Sequence, residues 1–133
     1  MQVNMQENTK KKFILWIEDD QLLGNILSEK MNNAEFEVLR VKDGEEAVSW
    51  LKDNVPDAVL IDILLPGKIN GFAILEMMKK DQRFANVPKV VLSNLSKSVD
   101  IERAINLGAK KFLVKSSMSM ESILNEIRAE FAG

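Results

Sequence analysis

The residues able to do chemistry in this sequence stand immediately after short apolar runs. Glu18, Asp19 and Asp20 follow one run, Asp62 another, Ser93 and Asn94 a third, and Lys115 a fourth. Carboxylates gathered at one place repel one another, and a divalent cation together with a lysine ammonium relieves that imbalance. The 133 residues include no histidine and no cysteine, which excludes imidazole acid–base chemistry, thiolate nucleophiles, disulfides and the usual zinc sites. An oxygen-only set of ligands points to a hard cation such as Mg²⁺.

Taken singly, most of these residues have ordinary explanations. Asp20 reads first as a helix cap, Ser93 as a strand-end hydroxyl, and Lys115 and Glu18 as solvated surface charges. Asp62 is harder to dismiss, because it ends a hydrophobic strand where backbone groups are still being buried. The joint placement of acids, hydroxyl and lysine at four strand ends favours a functional reading.

The elements that must position them are legible as periodicity. Apolar runs occur at residues 13–17, 38–41, 58–61, 90–92 and 112–114. Four are continuous, as in strands buried on both faces of a parallel sheet, and each is too short to be a helix. Arg40 interrupts the second, which suits an edge strand. Amphipathic stretches lie between the runs. Asp20 opens one, Asp43 with Glu46 forms an Asp capping box before another, Gly71 precedes a third, Gly108 closes a fourth, and Ser119 starts the last. Five β-α units with right-handed crossovers give a flavodoxin-like doubly wound α/β sandwich. Its five-stranded parallel sheet is expected in the order 2-1-3-4-5, with a crevice between strands 1 and 3 at the carboxyl edge, where all the candidate residues fall.

Composition agrees with one soluble globule, at 46% hydrophobic and 29% charged residues. A net charge of −2 supplies no global basic field to recruit nucleic acid. Residues 1–12 are polar, carry Lys10, Lys11 and Lys12, and read as a disordered lead-in without the apolar segment of a secretory signal. No run approaches the roughly 20 apolar residues of a membrane span, so a cytoplasmic protein is expected.

From Phe13 to Phe131 the chain resembles the receiver domains of two-component response regulators, the stand-alone chemotaxis-regulator type included. The resemblance rests on ILWIEDD (14–20), VLIDILLP (59–66), VLSN (91–94) and GAKKFLVK (108–115), in order and at the right spacing. It implies one receiver domain over 13–133 and a signalling switch rather than an enzyme. Asp62 would be the phosphoacceptor. Asp19 would ligate Mg²⁺ (or Mn²⁺) directly, Glu18 directly or through water, Asp62 through its carboxylate and Leu64 through its backbone carbonyl. Lys115 would pair with phosphoryl oxygens and Ser93 would donate its hydroxyl to one of them. The partners implied are a sensor histidine kinase or histidine phosphotransfer protein and an unidentified downstream protein. That protein would read the surface of the fourth helix, fifth strand and fifth helix. No nucleic acid or membrane contact is expected, and the chain would be a monomer or weak dimer, either stand-alone or excised from a longer protein.

Some features depart from the family pattern. Ser116 stands where proline usually follows the lysine in a cis linkage, leaving both peptide isomers open. The loop 66–71 is one residue longer than the commonest form, and Asn70 replaces aspartate. Phe112 occupies a position often held by tyrosine and lacks its hydroxyl. Leu64 and Leu95, two residues after Asp62 and Ser93, flank the route of an attacking water and cannot orient it, which implies a long-lived phosphoryl group. Leu64 also argues against a metal-dependent phosphatase, which commonly has a second acid at that place. The intact set of Asp62, Asp19, Ser93 and Lys115 argues against a degenerate receiver.

Overall fold

A computed structural model describes residues 11–32 and 35–131. The lead-in expected over residues 1–12 therefore lies outside the described residues up to residue 10. Lys12 already belongs to the first strand.

Five strands, β1 (Lys12–Ile17), β2 (Phe36–Val41), β3 (Ala58–Ile61), β4 (Lys89–Ser93) and β5 (Lys111–Val114), form one parallel sheet in the order β2-β1-β3-β4-β5. The helices are α1 (Gln21–Met31), α2 (Gly44–Asp53), α3 (Gly71–Lys79), α4 (Ser98–Asn106) and α5 (Met120–Phe131). This is the flavodoxin-like arrangement, with Arg40 on an edge strand.

Side-chain alternation divides the core into two layers. Leu15, Ile17, Val59, Ile61 and Val91 pack with Ala47 and Leu51 of α2, Ile74, Leu75 and Met78 of α3 and Ala104 of α4. Ile14, Trp16, Leu60, Leu92 and Leu113 pack with Leu27 and Met31 of α1 and Ile123, Ile127 and Phe131 of α5. Both faces are covered, which is why four of the five strands read as unbroken apolar runs, the edge strand β2 being the exception.

The helix ends follow the local chemistry of the sequence. Asp20 Oδ1 accepts from the Leu23 amide at 3.1 Å and Asp43 Oδ1 from the Glu46 amide at 2.8 Å. Glu46 reaches back one residue further than a standard capping box requires, accepting from the Lys42 amide at 3.0 Å. Ser119 Oγ accepts from the Ser122 amide at 3.1 Å, as a cap of α5 should. Gly108 ends α4 at φ +105°, a backbone region that costs an L side chain roughly 1–2 kcal/mol.

A candidate phosphoryl and metal site at the carboxyl edge of the sheet

Each of the predicted residues lies at the carboxyl end of a strand, and the register decides which of them meet. Ile17 of β1 pairs with Ile61 of β3, so Glu18 and Asp62 occupy the next rung. The Asp62 amide donates to the Ile17 carbonyl at 3.0 Å, carrying the ladder that far. One carboxylate oxygen from each of Glu18, Asp19 and Asp62 lies within 4.8 Å of the other two.

Lys115 closes the group from two strands away. Its Nζ donates to Asp62 Oδ2 at 2.9 Å and to Glu18 Oε1 and Oε2 at 2.9 and 3.1 Å. Glu18 is fully buried and Asp62 nearly so, whereas Asp19 is exposed at the mouth. Backbone amides complete the shell. The Asp20 amide donates to Glu18 Oε2 at 3.0 Å, and the Leu64 amide to Asp62 Oδ1 at 3.0 Å.

Burial drives the Glu18 carboxyl above its usual range, and the hydrogen bond from Lys115 offsets this only in part. Burial alone would lower the Lys115 ammonium. Its hydrogen bonds to Asp62 and Glu18 outweigh that effect and hold it above the usual lysine value.

The residue model for "Response regulator receiver domain" matches positions 14–128. The chain belongs to the response regulator receiver family. As a receiver domain it is a part of two-component signalling, a switch rather than an enzyme with a separate substrate.

Among relatives, it is 28% identical to the DNA-binding dual master transcriptional regulator RpaA of a Synechocystis strain. The match covers 87% of this chain and 47% of that protein, so the chain spans about half the length of this curated relative. The expectation of no nucleic-acid contact draws no support from a relative of that kind. Among solved structures, the phosphorylated cyanobacterial phytochrome response regulator RcpA superposes with a TM-score of 0.82 at 28% identity, covering 92% of this chain and 94% of its own. The Mn²⁺-bound response regulator Rcp1 gives a TM-score of 0.80 at 23% identity, covering 91% and 94%, a likeness of fold.

The acidic group of this receiver domain suits a divalent cation on its own chemistry. Three carboxylates face one ammonium, every donor is oxygen, and one of the three acids is open to solvent. This fits Mg²⁺ and Mn²⁺ equally.

The remaining predicted residues fall around this group. Ser93 is fully buried at the end of β4, with its Oγ 3.4 Å from the Leu95 amide that donates to it. Phe112 is half-buried against the α2–α4 layer and is in register with Val91, on the same side of the sheet as that residue. Leu64 is exposed beside Asp62.

Two departures from the family pattern now have structural answers. The Lys115–Ser116 peptide is trans, and the chain leaves β5 through a 3-10 turn, Lys115–Ser117. Asn70 caps α3 by accepting from the Ala73 amide at 2.9 Å, a role a neutral amide oxygen fills as well as aspartate. The loop before it is tied to α2 by the Lys68 amide, which donates to Glu45 Oε2 at 3.0 Å.

Sequence reasoning missed Arg40 and Gly24. Arg40 Nη1 donates to the Glu18 carbonyl at 2.6 Å, and the arginine side chain runs over Gly24 of α1. The lone arginine in an apolar strand was the available signal.

Proposed function

We propose that this receiver domain is a phosphorylatable switch that accepts a phosphoryl group from a phosphohistidine donor on Asp62. The observation carrying this reading is the Asp62 carboxylate itself, nearly buried and held between the Lys115 ammonium and the acidic pair Glu18–Asp19. Phosphoryl transfer demands positioning and neutralisation of oxygen charge more than covalent assistance.

In this reading an Asp62 oxygen attacks phosphorus in line, forming an O–P bond as the P–N bond of the donor imidazole breaks. Lys115 turns its ammonium from the carboxylates toward the phosphoryl oxygens, and Ser93 supplies a hydroxyl to another of them. Glu18, Asp19, Asp62 and the Leu64 carbonyl would hold Mg²⁺ or Mn²⁺. The cation supplies Lewis-acid neutralisation of the phosphoryl oxygens when bound. Movement of Ser93 toward the phosphoryl group would let Phe112, on its own side of the sheet, turn inward by packing alone. The face made by α4, β5 and α5 would then be read by a downstream partner.

The donor is taken to be a sensor histidine kinase or a histidine phosphotransfer protein, and the setting cytoplasmic. No helix among the described residues is long and apolar enough to cross a membrane. The chain would act as a monomer or weak dimer.

Intact-mass analysis after incubation with acetyl phosphate and Mg²⁺ tests the reading. One added phosphoryl group, absent without metal and absent in Asp62→Asn, is the expected outcome. No adduct from acetyl phosphate or from a phosphohistidine donor would overturn it, and an adduct surviving in Asp62→Asn would move the acceptor elsewhere.

A further inference from the structure

The peptide that joins Glu18 to Asp19 lies just beyond the end of β1, where the sheet no longer fixes the backbone on both sides. Its orientation sets the direction in which the Asp19 side chain leaves the chain. Two groups of β2 grip this short segment. The Glu18 amide donates to the Val41 carbonyl at 3.0 Å, and the Glu18 carbonyl accepts from Arg40 Nη1 at 2.6 Å. Arg40 is half-buried, and the path of its side chain is kept open by Gly24. A Cβ at Gly24 would press on Arg40 Cδ and Nε and sit 2.7 Å from Cζ. Glycine in a helix interior is otherwise unfavourable, so its presence within α1 has a physical reason here.

We propose that Arg40 is a positioning residue for the acidic pair, holding the Glu18–Asp19 peptide plane so that Asp19 faces the divalent cation, with Gly24 as the space that lets it do so. The inference rests on the metal-dependent reading of the site given above. An arginine suits this task because its planar fork loses little freedom per hydrogen bond formed. A cation beside an acidic cluster also repels a metal ion, so charge alone and positioning predict opposite effects when Arg40 is removed.

The test is Mn²⁺ binding by calorimetry on the unphosphorylated protein, for wild type, Arg40→Met, Gly24→Ala and the double variant. Circular dichroism on each confirms the fold. Positioning predicts binding roughly tenfold weaker in Arg40→Met, in the range found for groups that orient metal ligands. Gly24→Ala, which retains the charge but displaces the guanidinium, should weaken binding in the wild-type background and add nothing to Arg40→Met. Should Arg40→Met not fold, Gly24→Ala alone decides, since unchanged binding there overturns the proposal. Unchanged or tighter binding in Arg40→Met overturns it too, as does an equal loss from Gly24→Ala in both backgrounds. If wild type itself binds no Mn²⁺, the metal-dependent reading falls and this inference with it. A wild type that binds while all variants match it removes the inference alone.

Discussion

Glu18 and Asp62 stand side by side one rung past Ile17 and Ile61, the last paired residues of β1 and β3. They are 44 positions apart in the chain, and a parallel ladder brings two acids together where neither has an internal counter-ion on its own strand. Lys115 supplies the missing charge from just past the end of β5, binding both at 2.9 Å. Both carboxylates are hydrogen-bonded to a single ammonium and to backbone amides, yet with Asp19 the group of three acids remains short of positive charge.

Lys115→Met should lower stability in metal-free buffer by about 3 kcal/mol, the cost of removing one partner from a buried ion pair. The same change should tighten Mg²⁺ binding, because the cation then supplies charge that the ammonium no longer does. Urea unfolding with and without Mg²⁺ reads both effects. Weaker metal binding in the variant would refute the charge argument.

Glu18 gives a pH dependence with a definite sign. Its carboxyl lies above its usual value of 4.5 in the folded chain, chiefly through burial. Ionising it is therefore harder folded than unfolded, and stability is lost as pH rises through 4.5 toward the folded pKa. Glu18→Gln stays neutral and escapes that loss. In metal-free buffer its melting temperature should rise relative to wild type as pH increases from 4 to 7 and level off above the folded pKa. A difference that shrinks over that range would show that Lys115 overcompensates for burial.

Gly71 and Gly108 should respond differently to alanine. A Cβ at Gly71 would meet the Asp62 carbonyl oxygen at 2.5 Å and the Ile63 Cα at 2.7 Å, both backbone atoms that cannot swing aside. Gly71→Ala should cost about 1–3 kcal/mol despite its better helix propensity, and should slow phosphoryl acceptance by shifting the strand end that carries Asp62. A Cβ at Gly108 meets no atom within 4 Å and pays only for its φ of +105°. Gly108→Ala should lower the melting temperature while leaving the rate of adduct formation near wild type.

The phosphoryl group should be long-lived, because Leu64 and Leu95 offer no hydrogen-bonding group to a water attacking phosphorus. Leu64 is exposed, so Leu64→Asn costs little in packing. It should shorten the lifetime of the adduct by roughly tenfold, below the 10²–10⁴ of a full general base. Decay followed by intact mass checks this, and an unchanged lifetime would place the barrier elsewhere.

Much of this protein was readable from order and type alone. Continuous apolar runs ending in acids, a serine and a lysine place the elements and the edge of the sheet where the chemistry gathers. Asp20, Asp43 and Ser119 mark helix ends because capping is local, each accepting from an amide three residues on, and Gly108 marks one through its own positive φ. Asp20 illustrates the limit of type alone. It shares the acidic run with Glu18 and Asp19, yet its carboxylate is committed to the Leu23 amide.

What only the tertiary structure decided depends on how the elements and their connections are set against one another. The Lys115–Ser116 bond, left open by the serine, is trans, and the chain passes from β5 straight into the 3-10 turn Lys115–Ser117. Lys89 opens β4 with its ammonium donating to the Phe84 carbonyl at 3.1 Å, although β4 reads as starting at Val90. Arg40 reaches Glu18 across 22 residues and needs a glycine on a third element to pass. Local periodicity places each residue on a face. Which long side chain crosses to which partner is fixed by strand order, register and the space left between packed layers, and none of these is a property of a single segment.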